Sequence, residues 1–300
     1  MGSEVLISCI DKIIKGGFAM EDLIKSEIKR YFLESKKNWF EEINDTYYEE
    51  PIIKFANAED LLFEEYKKII GEHHFTPKEA FELAFGEGSY NGGTVISIVL
   101  PINEKTRKSN RSQKRLASKE WALTRTFGDE IFIREFVKHL ENYLSEMGYR
   151  TISPHYSEWF KIQVDSLGPT SNWSERHIAY VAGLGTFSIN DAFITEKGIA
   201  VKLTSVVTEL KLTPDLRFAK SHTENCLLCS KGICGACIKR CPVNAISKEG
   251  HDKITCYKHV YGEESSKLAE YYGASPKAGS GCGLCQTGVP CEGKNPIRMY

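Results

Sequence analysis

Apolar residues recur at intervals of three and four near the start of the chain: Ile10, Ile13 and Ile14, then Leu23, Ile24, Ile28 and Phe32. That period gathers them on one stripe of a helix, so residues 1–90 read as mainly helical. Gly16-Gly17 interrupts the first helix, and Pro77 suits the first turn of a later one, where its missing N–H leaves no helical bond unmade. Gly86 to Gly93 holds four glycines in eight residues and reads as a loop. It feeds Thr94-Val-Ile-Ser-Ile-Val-Leu100, a β-branched run with the length of a buried strand. Residues 130–147, EIFIREFVKHLENYLSEM, carry a helical apolar stripe that Gly148 ends. A second strand is expected over Ala200 to Val207, and Pro214-Asp215 marks a boundary. The pattern thus predicts a mixed α/β domain over 1–215, for cofactor and substrate, and a small cysteine-rich domain over 216–300.

Charge adds one local feature. Lys105 to Arg125 carries eight Lys/Arg, at 105, 107, 108, 111, 114, 115, 119 and 125, against Glu120 alone. It reads either as a solvated helix face or as a loop binding the phosphates of a cofactor, substrate or tRNA. Over all 300 residues, 39 Lys+Arg against 40 Asp+Glu leave a formal charge of -1, which gives no bulk attraction to nucleic acid or anionic membrane. No apolar run approaches the ~18 residues of a membrane span, and the N-terminus lacks a basic export signal, so the expectation is cytoplasmic.

The cysteines change the picture more. Nine of the ten lie between Cys226 and Cys291, too dense for a reducing compartment unless they bind metal. Cys9, among Leu6, Ile7 and Ile10, reads as a buried structural thiol. The run Cys226-x2-Cys229-x4-Cys234-x2-Cys237-x3-Cys241-Pro242 is followed by Cys256, Cys282-x2-Cys285 and Cys291. Its C-x2-C-x3-C-P ending resembles that of bacterial two-cluster ferredoxins, where the last cysteine serves the other cluster. The resemblance implies one [4Fe-4S] cluster on Cys229, Cys234, Cys237 and Cys291 and another on Cys241, Cys256, Cys282 and Cys285. Cys226 is then spare, or replaces Cys229. Four-cysteine zinc sites share the C-x2-C pairs, but interlocked ligation and the C-P ending argue for iron–sulfur.

A third stretch runs from Val164-Asp-Ser-Leu-Gly-Pro169 to Ser174-Glu-Arg-His-Ile-Ala-Tyr-Val-Ala-Gly-Leu-Gly185-Thr-Phe-Ser-Ile-Asn190. Ser174 can cap a helix that buries Ile178, Val181 and Ala182, while Gly183 and Gly185 stop it or let backbone approach a ligand. Asp165 is a candidate to bond a cofactor amide or to cap the turn. His177 reads as a structural or loop-facing histidine or as a catalytic one, and His222 and His259 either as solvated or as hydrogen-bonding to cluster sulfur. Tyr156, Trp159, Phe160 and Trp173 read as core or pocket wall.

With the cysteine run, this order resembles the epoxyqueuosine reductase and reductive dehalogenase superfamily. The residues carrying it are Gly168-Pro169, Glu175-Arg176, Ala179, Ala182 to Gly185, Asn190, Phe193-Ile194, Gly198, Leu203, Thr208, Leu210, Leu212 and Pro214-Asp215. The resemblance spans about 94–291 and implies an α+β fold: a nitroreductase-like cobalamin-binding core with a C-terminal ferredoxin-like 2[4Fe-4S] module. It further implies a cobalamin against Gly183, Gly185, Thr186, Ser188 and Asn190, with two clusters passing it electrons from a ferredoxin or flavodoxin.

The family's proton-donor stretch G-R-D-Y-H is replaced by Leu123-Thr-Arg-Thr-Phe-Gly-Asp-Glu-Ile-Phe132, which leaves Asp129 and Glu130 as candidate acids. Either is equally read as an acid favouring a helix N-terminus. Nine residues follow Cys291, so the family's helical repeats beside tRNA are not expected. The expected activity is reduction of a small-molecule or nucleoside-type substrate, with tRNA a secondary candidate. The competing expectations are an electron-transfer or cofactor-reactivating protein without turnover, and a flavin in place of the corrinoid.

Overall fold

The structure is a computed structural model describing residues 19–166 and 168–299; the readings on Cys9 and on Ile10 to Gly17 lie outside them. After a small hairpin of β1 (Trp39–Phe40) and β2 (Asp45–Thr46), the centre is an antiparallel sheet of four strands: β3 (Ile52–Asn57), β4 (Thr94–Pro101), β10 (Val201–Thr208) and the short β5 (Thr151–Ile152), in the order β3-β4-β10-β5. β4 pairs with both long neighbours, Ile52 facing Val99 and Val201 facing Pro101, and all eight of its residues are buried. That is why its run has no polar alternation: both faces are covered.

On one face lie α1 (Met20–Glu34), α5 (Lys119–Leu123) and α6 (Arg134–Glu146), which pack Ile28, Phe32, Trp121, Phe136 and Leu140 onto Ile96, Ile98 and Val206. On the other face, α2 (Leu62–Ile69), α3 (Pro77–Phe85) and α7 (Glu175–Val181) bring Phe63, Phe81 and Ile178 to Val95, Val99 and Val207. Pro77 does open α3, behind a capping box in which Thr76 and Glu79 each accept the other's backbone N–H. Residues 19–90 are less helical than the spacing suggests. Ile52-Ile-Lys-Phe-Ala56 is strand, a run too short for periodicity to separate the two periods.

The helix expected over 130–147 begins earlier. Ser118 caps α5 by accepting the N–H of Trp121, and the helical path continues through a π-helical segment, Thr124–Ile133, into α6. A widened turn carries extra residues that a 3.6-residue period does not register, and such segments favour functional sites.

The cysteine-rich part folds around α8 (Leu227–Lys231), α9 (Ala236–Arg240), α10 (Lys253–Tyr261) and α11 (Glu263–Tyr271). It packs against a hairpin of β8 (Gly185–Phe187) and β9 (Phe193–Thr195): Ala192, Ile194 and Ile199 share a core with Cys226, Cys237, Ile246 and Val289. Six of the eight cations in the basic segment are engaged within the protein. Arg107 pairs with Glu49 (2.9 Å), Arg111 with Glu292 (2.7 Å), Arg115 with Glu264 (2.7 Å), Lys105 with Asp45 (3.2 Å) and Lys119 with Glu42 (3.9 Å), while Arg125 donates to Ala278 O (2.8 Å). The segment, which opens with α4 (Glu104–Arg111), ties Arg111, Arg115 and Arg125 to the cysteine module and Lys105, Arg107 and Lys119 to the core, and leaves Lys108 and Lys114 exposed. No helix among the described residues is long and apolar enough to cross a membrane.

Candidate functional site

The nine described cysteines are free thiols that gather in two groups. Cys226, Cys234, Cys237 and Cys291 line one small cavity with Ser188, Ile194, Leu227, Val289 and Pro290. Cys291 lies close enough to feel the charges of Cys237, Cys226 and Cys234, whereas Cys282 feels Cys256 and Cys241, and Cys285 feels Cys282 and Cys256 first and Cys237 of the other group last. The last cysteine thus joins the first run, and Cys241 joins the second group. Burial pushes the Cys237 and Cys282 thiols up to about 11 and Cys291 to about 12, with neighbouring thiolates as a further cause. Several thiolates in an apolar pocket repel one another, so the donor set calls for a cationic centre among them. Among the described residues, no three or more His, Cys, Asp or Glu converge tightly enough to chelate one metal ion.

Cys226 is buried and accepts the Ser188 hydroxyl (3.6 Å), whereas Cys229 is exposed and absent from the cavity wall. Asn190 donates to Cys285 O (3.2 Å). Ser188 and Asn190 therefore brace one thiol group each. Gly183, at φ 71°, ends α7, and a Cβ there would stand 2.8 Å from Leu216 O; one on Gly185 would stand 2.2 Å from Ile194 O. Both glycines serve close approaches within the chain. With Thr186, whose hydroxyl accepts the Asn225 N–H (2.8 Å), they also border an open cleft shared with Lys54, Glu196 and Asn295. Asp165 lies exposed on the hairpin of β6 (Ile162–Asp165) and β7 (Gly168–Ser171), paired with Gly168.

A second centre forms on the π-helical segment. Asp129 accepts the Tyr48 hydroxyl and pairs with the Lys202 ammonium, and its carbonyl accepts from Tyr156 (3.2 Å). Arg134 stacks over the Tyr156 ring at 4.9 Å. Glu130 is exposed beside this cluster. Burial and then the Asp129 carboxylate hold the Tyr48 phenol well above its usual range. Arg125 reaches the Tyr261 hydroxyl (3.5 Å), and its charge, with those of Lys202 and Arg176, lowers that phenol. Burial, reinforced by Lys202 and Arg134, lowers His155 to about 4. Nearby, burial raises Glu175 to about 7; its carboxylate oxygens have no hydrogen bond of normal geometry, although Ser205 and the Trp173 indole lie beside it.

The second thiol group abuts this centre. Arg125 packs on Gly281 and Trp121 on Gly283, either side of Cys282, and α10 carries both Cys256 and Tyr261. Gly183 connects instead through its carbonyl to Lys54, on the opposite face of the sheet from Lys202. Of the candidates, Asp129 gathers partners and Glu130 does not. Tyr48, Lys202 and Tyr261 escaped the sequence reading; a lysine inside the apolar run Ala200 to Val207 was the available signal. His251 is another omission: it contacts Asp191 (3.1 Å) and Cys256, whereas His259 bonds Arg115 O (2.8 Å) and His222 presents its carbonyl to Phe187.

No family model matches the chain, and no curated protein matches it significantly. Among solved structures, a catabolic reductive dehalogenase in complex with 3-bromo-4-hydroxybenzoic acid superposes with a TM-score of 0.52 at 16% identity, over 82% of this chain and 30% of that one. The chain therefore has the reductive dehalogenase fold. Epoxyqueuosine reductases are also matched: that of Streptococcus thermophilus at a TM-score of 0.49 and 18% identity, over 89% of this chain and 66% of that one, and that of Bacillus subtilis at 0.46 and 19%, over 81% and 62%. The chain spans 66% of the Streptococcus thermophilus reductase, 62% of the Bacillus subtilis reductase and 30% of the dehalogenase.

Proposed function

We propose that the protein is an iron–sulfur reductase: a nitroreductase-like core that holds a corrinoid, joined to a ferredoxin-like module with two [4Fe-4S] clusters. One observation carries the reading, namely the crossed grouping of thiols, Cys291 with the first run and Cys241 with the second, within a reductive dehalogenase fold. Cys226, Cys234, Cys237 and Cys291 would hold one cluster, and Cys241, Cys256, Cys282 and Cys285 the other.

The Asp129 centre suits a large ligand with polar edges. Arg125 Nε and His155 Nδ1 are buried there without hydrogen-bond partners, and Tyr257 and Tyr261 stand exposed on α10. When bound, the clusters would supply single electrons and the corrinoid a low-valent cobalt able to reduce a carbon–oxygen or carbon–halogen bond. The chain supplies the proton. Asp129, ion-paired and accepting from Tyr48, acts as a carboxylate that orients the Lys202 ammonium, and the half-buried Lys202 Nζ holds the proton to be given up. Asp129 is then a positioning residue, in place of the donor role expected for it.

The substrate proposed is a small or nucleoside-type molecule that loses oxygen, sulfur or halide. The electrons come from a ferredoxin or flavodoxin. An epoxyqueuosine reductase has been solved with a tRNA stem loop, and the unpaired Lys108 and Lys114 are the residues to alter if tRNA binds here. The test is anaerobic reconstitution with iron, sulfide and cobalamin, desalting, and metal analysis. About eight irons and one cobalt per chain are expected. Eight irons without cobalt would overturn the corrinoid and leave a flavin or plain electron transfer, and no iron would overturn the whole reading.

A further inference from the structure

The segment Cys226 to Lys248 holds Lys231, Lys239, Arg240 and Lys248 and no acidic residue, in a chain whose overall charge is -1. Arg240 turns inward, donating to the carbonyls of Leu284 (3.2 Å) and Thr287 (3.1 Å). Lys231 and Lys239 stay exposed, on helices α8 and α9 that flank the cavity of the first thiol group, and neither makes an ion pair among the described residues. This contrasts with the basic segment at 105–125, whose cations are mostly neutralised within the fold. Beside Lys231 the chain is open to solvent: Cys229 is exposed, Gly232 turns at φ 68°, and Ile233 is 60% exposed.

We infer that this face is the docking site of an acidic one-electron carrier protein, with Ile233 as the apolar contact and Lys231 and Lys239 as the complementary charges. The inference rests on the proposed clusters. Exposed lysines beside an apolar side chain give an oriented, salt-sensitive encounter with an anionic partner, and the cavity of the first thiol group lies against α8 and α9 there. The second thiol group lies against the Asp129 centre, so electrons enter at the first group and leave at the second. Each encounter moves one electron: a carrier in its hydroquinone state becomes the semiquinone, and the first cluster is reduced by one.

The test uses cluster-loaded protein, reduced flavodoxin as the carrier, and stopped-flow absorbance. Wild-type reduction should slow as salt rises from about 20 to about 300 mM, because screening shortens the reach of the lysine charges. The double variant Lys231→Glu/Lys239→Glu should be reduced at least roughly tenfold more slowly. Photoreduction through deazariboflavin, which is small and uncharged, should proceed at the wild-type rate in both proteins and shows that the variant's clusters are intact. Salt-independent reduction, an unaffected double variant, or failure of flavodoxin to reduce protein that deazariboflavin reduces would overturn the docking site. Absence of iron after reconstitution would overturn the cluster reading instead.

Discussion

Cys226 and Cys229 stand three residues apart, and spacing favours Cys229 as the closer match to a ferredoxin run. Burial reverses that preference. Cys226 lines the cavity, held by the Ser188 hydroxyl, whereas Cys229 is exposed on α8 and reaches the thiol group through Cys226. Cys226→Ala is therefore expected to lower reconstituted iron from about eight to about four per chain, while Cys229→Ala keeps about eight, measured by iron analysis with the charge-transfer absorbance as a second readout. The reverse pattern would return the ligand role to Cys229. A comparable lesson holds at Asp129. The sequence offered two adjacent acids, and only the tertiary partners Tyr48 and Lys202 distinguish them.

At the scale of elements, the loop after β9 sets the position of Cys291. Ile199 N donates to Cys291 O (2.8 Å) and Ala200 N to Glu292 O (3.1 Å), so the far end of the chain is stitched to the start of β10. Gly198 permits this at φ 84°, where a Cβ would stand 2.3 Å from Glu292 O. Gly198→Ala should displace the Cys291 loop. The expected result is partial loss of iron from the first cluster, to about four per chain, with the core strands intact by circular dichroism. Retention of about eight irons would show that the loop adapts. The apolar pattern foresaw β4, β10 and α3 well, because each buries a continuous face. It missed the π-helical segment, whose widened turn has no period of its own, and β3, whose run is too short to choose one.

For the whole molecule, imidazoles buried on folding shape the pH response. His74 is fully buried; its Nε2 accepts the Ser174 N–H (3.1 Å), which requires the neutral ring. Burial lowers it to about 4 from an ordinary 6.5. A base depressed by folding stabilises the native state above its unfolded pKa and loses that contribution as pH falls from about 6.5 through about 4. At pH 5 the loss is on the order of 2 kcal/mol. His155 and His177, lowered likewise by burial, act in the same direction. The melting temperature should therefore drop between pH 6.5 and 4.5, and a flat profile would show that His74 is accessible to protonation in the native state.

Sequence alone determined what depends on chemistry near in the chain. The cysteine spacing marked out the cysteine-rich module, the buried strands announced the sheet, and Gly183 announced the end of α7, because these rest on local period and local backbone freedom. Tertiary structure decided what depends on distant partners. It chose Cys226 over Cys229 for the cavity, tied three cations of the basic segment to the cysteine module, and assembled Tyr48, Asp129, Lys202 and Tyr261 from four separate stretches. The physical reason is common to all three: burial and charge pairing are properties of a site in space, and a chain discloses them only where the residues that meet are also neighbours along it.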